Sequence, residues 1–348
     1  MTDGGLGWGI LATGWIAHTF AQDLQDAGLR VAAVGSRTAE RAQSFADEHG
    51  IPHAHGSWAA LAADPTVDVV YVATPHPFHA EAARIALEHG KHVLVEKPFT
   101  LYAAEAEEIV ALAEERGLVV LEAMWTRFLP HMTEIHQAIA AGEIGTPQVL
   151  VAEHTQALPS DPSHRMNDPE LGGGALLDLG VYPISFGVDL FGLPVDVTAT
   201  ATFTPTGVDQ RVQGVLTHEG GASTIFLAAS DLAGTNRASI LGTGGSIEIE
   251  HTWYTPTAYT VLDLERNVVR TSRPEVTGRG MQLQALELEA LVRAGRTGGD
   301  RMPADQSVGI MRALDAVRER IGLTYPQERR AQEHNPEGRS PEERRAAG

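Results

Sequence analysis

Lys97 is the residue whose type and position most clearly suggest chemistry. It follows the apolar run Val93–Val95 and Glu96, and it directly precedes Pro98. The apolar run indicates a buried strand, and proline cannot continue a strand ladder, so Lys97 is predicted at the strand's carboxyl end. Open α/β sheets bind ligands at this edge. We therefore place Glu96 and Lys97 in a ligand site; the alternative is a solvated ion pair between them.

The glycine-rich segment of residues 172–182 carries a second pair of polar groups. Asp178 and Tyr182 are four residues apart and would share one face of a helix. Glycines at the start of that helix, Gly172 to Gly174, would let a ligand approach closely. The alternative role for Asp178 and Tyr182 is a buried hydrogen bond within the helix.

A degraded dinucleotide-binding turn lies near the amino terminus. The pattern G-x-G-x-x-G/A uses its glycines for a tight turn and for close approach of the backbone to a pyrophosphate. Here Ala12 takes the first position, while Gly14 and Ala17 take the other two. The turn predicts cofactor contacts from Thr13, Gly14, Trp15 and Ile16. An ordinary connection between strand and helix is the alternative.

The end of the second predicted strand favours NADP over NAD. An acidic residue at this point would bind the ribose 2′-hydroxyl, whereas arginine accommodates a 2′-phosphate. The chain instead has Ser36, Arg37, Thr38 and Arg41, which offer hydroxyls, guanidinium groups and a helix amino terminus. A helix cap beside two solvated arginines is the alternative, but it does not explain the missing acid.

Polar residues also follow a later strand. Thr74, Pro75, His76 and His79 come after the buried strand of residues 67–73, and we predict that they form a wall of the cofactor site.

Trp125 and Arg127 follow the sixth strand, where one domain should pass into the next. We predict that both edge the cofactor cleft. The alternative is an aromatic residue at the domain interface with its cation–π partner.

No metal site is predicted. His53-x-His55 and His76-x-x-His79 have spacings found among metal ligands, but the chain has no cysteine and no H-E-x-x-H helix. The lack of cysteine also excludes disulfides and a cysteine nucleophile.

The composition is that of an acidic globular protein. A chain of 348 residues with 43% hydrophobic content is long enough for two domains, and a net charge of −19 argues against binding to nucleic acid or an anionic membrane. The amino terminus lacks a basic region followed by an apolar core, and no apolar run approaches the ~20 residues that span a bilayer. We expect a cytoplasmic protein with a small-molecule partner.

Periodicity predicts an α/β fold in two domains. Six βα alternations predict a doubly wound parallel (Rossmann) sheet in a dinucleotide-binding domain of residues 1–124. For residues 125–326 the pattern predicts an α+β substrate-binding domain with a large, mostly antiparallel open sheet. Residues 327–348 are predicted to form a mobile charged tail. The strands predicted for the second sheet are residues 147–155, 195–204, 211–218, 222–229 and 237–243.

The strand of residues 195–204 suggests a homodimer through the open face of that sheet. One of its faces would carry threonines and the other Val197, Ala199, Ala201 and Phe203. A flat threonine surface is well suited to another subunit.

Together these motifs resemble the Gfo/Idh/MocA oxidoreductase family. The resemblance covers residues 7–325 and rests on the turn at residues 12–17, Thr74-Pro75 with His79, Glu96-Lys97-Pro98, and Gly173-Gly174-x-x-x-Asp178-x-x-x-Tyr182. Within the family, Trp125-x-Arg127-Phe128 and Tyr182 are most similar to the branch of dimeric dihydrodiol dehydrogenase and NADP-dependent xylose dehydrogenase.

The resemblance implies an NADP-dependent oxidoreductase whose pocket lies between the two domains. There, a carbon of a sugar, cyclic polyol or dihydrodiol would exchange hydride with the nicotinamide. Lys97, Asp178 and Tyr182 match the family's catalytic positions. A tyrosine with a pKa near ~10 is a poor base at neutral pH, but an adjacent ammonium would favour its phenolate. Asp178 would fix the substrate or Lys97.

Two other functions are compatible with these motifs. One is a reductase that works mainly toward the alcohol, because both directions use one site. The other is a catalytically silent, NADP-responsive binding protein, although such a protein has no need to retain Lys97, Asp178 and Tyr182 together.

Overall fold

The computed structural model describes residues 5–334, which form two sheets. The first has six parallel strands in the order β3-β2-β1-β4-β5-β6, as predicted for a doubly wound domain. Its strands are β1 Trp8–Leu11, β2 Val31–Gly35, β3 His53–His55, β4 Val69–Val72, β5 His92–Glu96 and β6 Val120–Ala123. Its helices are α1 Trp15–Asp26, α2 Ala39–His49, α3 Trp58–Ala62, α4 His79–Glu88 and α5 Ala103–Arg116.

The second sheet has eight strands in the order β14-β13-β12-β11-β7-β10-β9-β8. Neighbouring strands of this sheet are antiparallel, except for the parallel pair β7 and β10. Helix α6 Pro130–Ala140 precedes it, and helix α7 Val181–Phe191 packs against β7 and β10. The five predicted strands are β7 Pro147–Thr155, β8 Pro194–Phe203, β9 Asp209–His218, β10 Ser223–Ala229 and β11 Ala238–Gly242. Three more strands, which we did not predict, extend the sheet: β12 Gly245–Ile249, β13 Tyr259–Asp263 and β14 Val268–Ser272.

The alternation in β8 follows the prediction except at its end. Val197 is buried and Thr198, Thr200 and Thr202 are exposed. Phe203, however, is 43% exposed, because the pairing register with β9 shifts between Thr202 and Phe203.

The last helices return to the first sheet. Helix α8 is Gln282–Arg293 and helix α9 is Ala304–Ile321. The indole nitrogen of Trp8 donates to the buried carboxylate of Glu289 at 3.0 Å, and the Ala103 amide donates to Asp315 at 2.9 Å. The predicted domain boundary at residues 124 and 125 lies between β6 and β7, and α8 and α9, which come later in the chain, pack against elements of the first sheet's domain.

The predicted mobile tail begins with a helix, α10 Pro326–His334. Glu328 accepts hydrogen bonds from the Tyr325 amide at 2.9 Å and from Arg318 at 2.5 Å, so this helix is held by polar contacts. A helix held in this way has no apolar periodicity, so the sequence did not predict it. The rest of the predicted tail, residues 335–348, lies outside the described residues.

One helical segment, Pro169–Phe191, is long and apolar enough to cross a membrane by length and composition, which the sequence analysis did not anticipate. However, 83% of its most apolar window is buried inside the protein, as expected of a core helix.

Candidate active site

A cavity of about 600 Å³ lies at the carboxyl ends of the first sheet and extends toward α7 and the second sheet. Of the predicted cofactor and catalytic residues, those that line it are Thr13, Gly14, Trp15, Ile16, Ser36, Arg37, Arg41, Thr74, Pro75, His76, His79, Glu96, Lys97, Trp125, Asp178 and Tyr182. Thr38 and Arg127 do not line it.

The backbone of the dinucleotide turn is accessible from the cavity. Helix α1 begins after Gly14 without a side-chain cap, which leaves amides of its first turn for an anion. A Cβ at Gly14 would meet nothing within 4 Å, so the backbone is open to the cavity there. Ala12 has a φ of 94°, in the left-handed region that favours glycine, which explains why relatives of this motif use glycine. The turn therefore fits the pyrophosphate of a dinucleotide despite its altered first residue.

Ser36 and Arg37 directly follow β2, Arg41 lies in the first turn of α2, and all three line the cavity. Both arginines are exposed. The Thr38 hydroxyl accepts the amide of Arg41 at 3.4 Å and caps α2. Thr38 therefore caps α2, as the alternative interpretation proposed, and binding of a cofactor by the exposed Arg37 and Arg41 stays a prediction.

Lys97 and Asp178 join the two parts of the cavity. The Nζ atom of Lys97 donates to the backbone oxygen of Asp178 at 2.7 Å and lies 3.1 Å from its Oδ1 atom. The same carboxylate is 3.3 Å from Arg165. Burial alone would raise the pKa of Asp178, but Lys97, His76 and Arg165 hold it well below its usual range. Burial lowers the pKa of Lys97, but Asp178 and other negative groups outweigh that effect and raise it, so Lys97 is an ammonium.

Tyr182 lies beside Lys97 and Trp125. Lys97 Nζ is 5.2 Å from the centre of the tyrosine ring, and Trp125 Nε1 donates to the hydroxyl at 3.0 Å. Burial raises the pKa of Tyr182 by more than Lys97 and Trp125 lower it. Lys97 thus favours the phenolate, as expected of an adjacent ammonium, but the net shift of the Tyr182 pKa is upward, because the sequence does not show how deeply the hydroxyl is buried.

The glycine run before Asp178 was predicted to let a ligand approach closely. In the structure, Gly173 and Gly174 instead lie close to other protein atoms. A Cβ at Gly173 would lie 2.7 Å from the backbone oxygen of Met166, and one at Gly174 would lie 2.1 Å from Asp209. Asp209 accepts the Leu176 amide at 2.6 Å, at the start of a π-helical turn that spans Leu176–Gly180 and leads into α7. The run therefore fixes the segment that carries Asp178.

His76 and His79 wall the cavity, as predicted, and also hold its edge together. His76 Nδ1 is 3.0 Å from the Gly172 oxygen. His79 is buried between the backbone oxygens of Thr74 and Pro98, each at 2.8 Å, which follow β4 and β5. Burial lowers the pKa of His79 to about 3, whereas the two carbonyl oxygens oppose this shift because they favour the protonated ring.

Arg127 is a structural residue, which corrects its prediction as a cofactor contact. It is buried and donates to the Ser185 hydroxyl at 3.0 Å, to the Ser185 backbone oxygen at 2.7 Å and to Gln306 at 2.6 Å. These contacts tie the end of β6 to α7 and α9. Neither its charge nor its position after a strand distinguished this role from cofactor binding.

Sequence reasoning missed the side of the cavity formed by the second domain. The residues on that side include His154, Gln156, Leu158, His164, Arg165, Tyr254, Thr255 and Arg279. They come from β7 and from loops, where neither periodicity nor a short motif identifies them. The long connection after Thr155 was the available signal, because loops of this length are often functional.

Two clusters outside the main cavity could hold a metal ion within residues 5–334: His18, Glu48 and His49, and His53, His55 and Asp64. In the second, Asp64 Oδ2 lies 2.7 Å from His53 and 2.8 Å from His55. Hydrogen bonds account for this convergence without an ion.

Comparison with known proteins finds two family profiles that match the chain. The oxidoreductase family with an NAD-binding Rossmann fold (GFO_IDH_MocA) matches residues 6–124, and the GFO/IDH/MocA C-terminal domain matches residues 132–248.

Individual proteins are similar over most of their length. Trans-1,2-dihydrobenzene-1,2-diol dehydrogenase of Homo sapiens is 35% identical, over 93% of this chain and 99% of that protein. D-xylose 1-dehydrogenase (NADP(+)) of Hypocrea jecorina is 35% identical, over 92% and 93% of the two chains. Among solved structures, a 3-ketoreductase from Actinomadura kijaniata in complex with NADP and TDP-benzene superposes with a TM-score of 0.80 at 25% identity, over 91% of this chain and 98% of that one.

Proposed function

Because the chain belongs to the GFO/IDH/MocA oxidoreductase family, we propose that it is an NADP-dependent enzyme acting on a secondary hydroxyl or carbonyl of a sugar, cyclic polyol or dihydrodiol. The observation that carries the proposal is the meeting of Lys97, Asp178 and Tyr182 in the cavity that also contains the dinucleotide turn. Bound NADP would accept or supply the hydride. Its pyrophosphate would be held by Thr13 to Ile16 and its 2′-phosphate by Arg37 and Arg41.

Lys97 would bind and polarise the reacting oxygen. An ammonium has three donor hydrogens, and Asp178 engages Lys97 Nζ at its backbone oxygen and its carboxylate. A remaining hydrogen is available for the substrate oxygen. Asp178 thus orients Lys97 and balances its charge.

Tyr182 would carry the proton. Its oxygen accepts from Trp125, which leaves its own hydrogen for the substrate. In the reductive direction the phenol donates to the carbonyl oxygen, and in the oxidative direction the phenolate takes the hydroxyl proton.

A reductase working mainly toward the alcohol is the second candidate. It is favoured by the ionisation of the site, because both Lys97 and Tyr182 hold their protons at neutral pH. A catalytically silent NADP-binding protein has less support, because it gains nothing from this proton-transfer set.

The test is a screen of NADP⁺ reduction with pentoses, hexoses, inositols, anhydrosugars and dihydrodiols, and of NADPH oxidation with the matching ketones. We expect turnover with at least one class, and turnover lower by about 10² to 10⁴ with Lys97→Met as a matched control. Tight NADP binding without turnover in either direction would favour the binding protein.

The open face of the second sheet would form a homodimer, and we expect a cytoplasmic location.

A further inference from the structure

The indole nitrogen of Trp125 donates a buried hydrogen bond of 3.0 Å to the Tyr182 hydroxyl. The two side chains are 6% and 7% exposed and come from different parts of the fold. Trp125 begins the short turn after β6, whereas Tyr182 lies in the first turn of α7. This bond therefore crosses between the sheet that forms the dinucleotide site and the helix that carries the proton-transfer group.

We propose that Trp125 is a positioning residue for proton transfer, whose indole N–H orients the Tyr182 hydroxyl and stabilises its deprotonated form. An indole nitrogen can donate a hydrogen bond but cannot accept one. The tyrosine oxygen must therefore be the acceptor, and its own hydrogen must point elsewhere. This catalytic meaning rests on the proposed function, but the effect on the hydroxyl does not.

The charge on the deprotonated oxygen would strengthen this bond, because hydrogen bonds to an ionised partner are shorter and stronger than neutral ones. Lys97 acts differently: it lies over the ring, 5.2 Å from its centre, and is already bonded to Asp178. Of these two, Trp125 is the one bonded to the oxygen itself. The other titratable groups near Tyr182 include Glu96 and Asp178, which oppose its ionisation, as well as Tyr71 and the ring neighbours His154 and Tyr254.

The residues after Trp125 keep the indole in place. The Thr126 hydroxyl donates to the Tyr254 backbone oxygen at 2.7 Å, and Arg127 donates twice to Ser185. Ser185 lies on α7 three residues after Tyr182. The turn that carries the donor is thus bound to the helix that carries the acceptor.

The test is Trp125→Phe, which keeps an aromatic ring and removes the N–H group. Phenolate absorbance is titrated in the full chain, and the contribution of Tyr182 is obtained by subtracting the matching Tyr182→Phe protein. We expect the pKa of Tyr182 to rise by about one to two units in Trp125→Phe, the size of one hydrogen bond to a charged group. In Trp125→His the ring can also donate a hydrogen bond, so the pKa of Tyr182 should rise by less than in Trp125→Phe. Trp125→His also serves as a second variant if Trp125→Phe does not fold.

Trp253→Phe is the matched control. Trp253 is also buried, but its indole donates to the backbone oxygen of Glu153 at 2.8 Å, so its loss should affect stability and leave the pKa of Tyr182 unchanged. An unchanged pKa in Trp125→Phe, or an equal shift in Trp253→Phe, would overturn the inference. A selective shift in a chain that turns over no substrate would support the inference and count against the proposed function.

Discussion

The Nζ atom of Lys97 is 2.7 Å from the backbone oxygen of Asp178, so the end of β5 and the segment before α7 are joined at the candidate reaction centre. A lysine at the end of one sheet is thereby oriented by a residue of the other domain.

Lys97→Met and Tyr182→Phe should each lower turnover by about 10² to 10⁴, the usual contribution of acid–base catalysis. The double variant should lose less than the product of the two single losses, because the two groups act on one oxygen. Steady-state rates of the three variants test this, with NADP affinity measured separately by fluorescence. Near-normal turnover of Tyr182→Phe would leave Lys97 as the proton carrier.

Oxidation should accelerate with pH while reduction should not. The pKa of Tyr182 is raised, so the phenolate needed for oxidation is scarce at neutral pH and its fraction grows with each added pH unit. We expect kcat/KM for oxidation to rise about tenfold per unit between about pH 6 and about pH 9. A plateau reached near neutral pH would show that a group of lower pKa takes the proton.

Arg37→Ala should weaken NADP much more than NAD. A charge-assisted contact to the 2′-phosphate is worth roughly 1.5–3 kcal/mol, or about ten- to a hundredfold or more in affinity. Thr38→Ala is the control, because loss of this cap should cost about 1 kcal/mol of stability without changing the NADP/NAD ratio. Titrations with both coenzymes would reveal equal losses if the phosphate is bound elsewhere.

Glu122→Gln should remove a pH-dependent loss of stability. Burial raises the pKa of Glu122 from 4.5 to about 7 in the folded protein, so the folded state holds a proton that the unfolded state has lost. The free energy of unfolding of the natural chain should therefore fall as pH rises from about 4.5 to about 7, by up to about 3 kcal/mol from this group. Denaturant unfolding at both ends of that range should show a smaller fall in Glu122→Gln. Glu115→Gln, at an exposed position of α5, should retain the full fall.

Ile225→Glu should separate the proposed homodimer. Ile225 is 43% exposed on the second sheet, paired in register with Val151 on β7 and Val215 on β9, which are 41% and 37% exposed. A buried carboxylate in this apolar row would oppose association. Light scattering should give a dimer for the natural chain and a monomer for the variant. Leu264→Glu, in the turn between β13 and β14, should remain dimeric.

The first domain was predictable because its strands are short apolar runs whose ends are marked by glycine, proline or polar residues. β5 ends at Glu96, one residue before the lysine, as the proline at position 98 indicated. The edge strand of the second sheet was harder to predict from the sequence. β14 contains exposed Val268 and Val269 with no alternation between buried and exposed residues, so no period of two is present to detect.

Residues of the candidate site were predictable where a short motif or the end of a strand marks them, as with Lys97, Asp178 and the arginines after β2. They were not predictable where the role of a residue depends on contacts with residues distant in sequence. Arg127 and Arg165 are both arginines near the site, yet one is buried against Ser185 and the other reaches Asp178 in the cavity. Only the folded chain distinguishes them.

The return of α8 and α9 to the first sheet has a consequence for biosynthesis. Trp8 finds its hydrogen-bond partner at Glu289, and Ala103 finds one at Asp315, both in helices near the end of the chain. As the protein emerges from the ribosome, the first sheet can assemble early, but its packing cannot be completed until α9 has been translated. A nascent chain stalled after β6 should consequently expose apolar surface and engage chaperones.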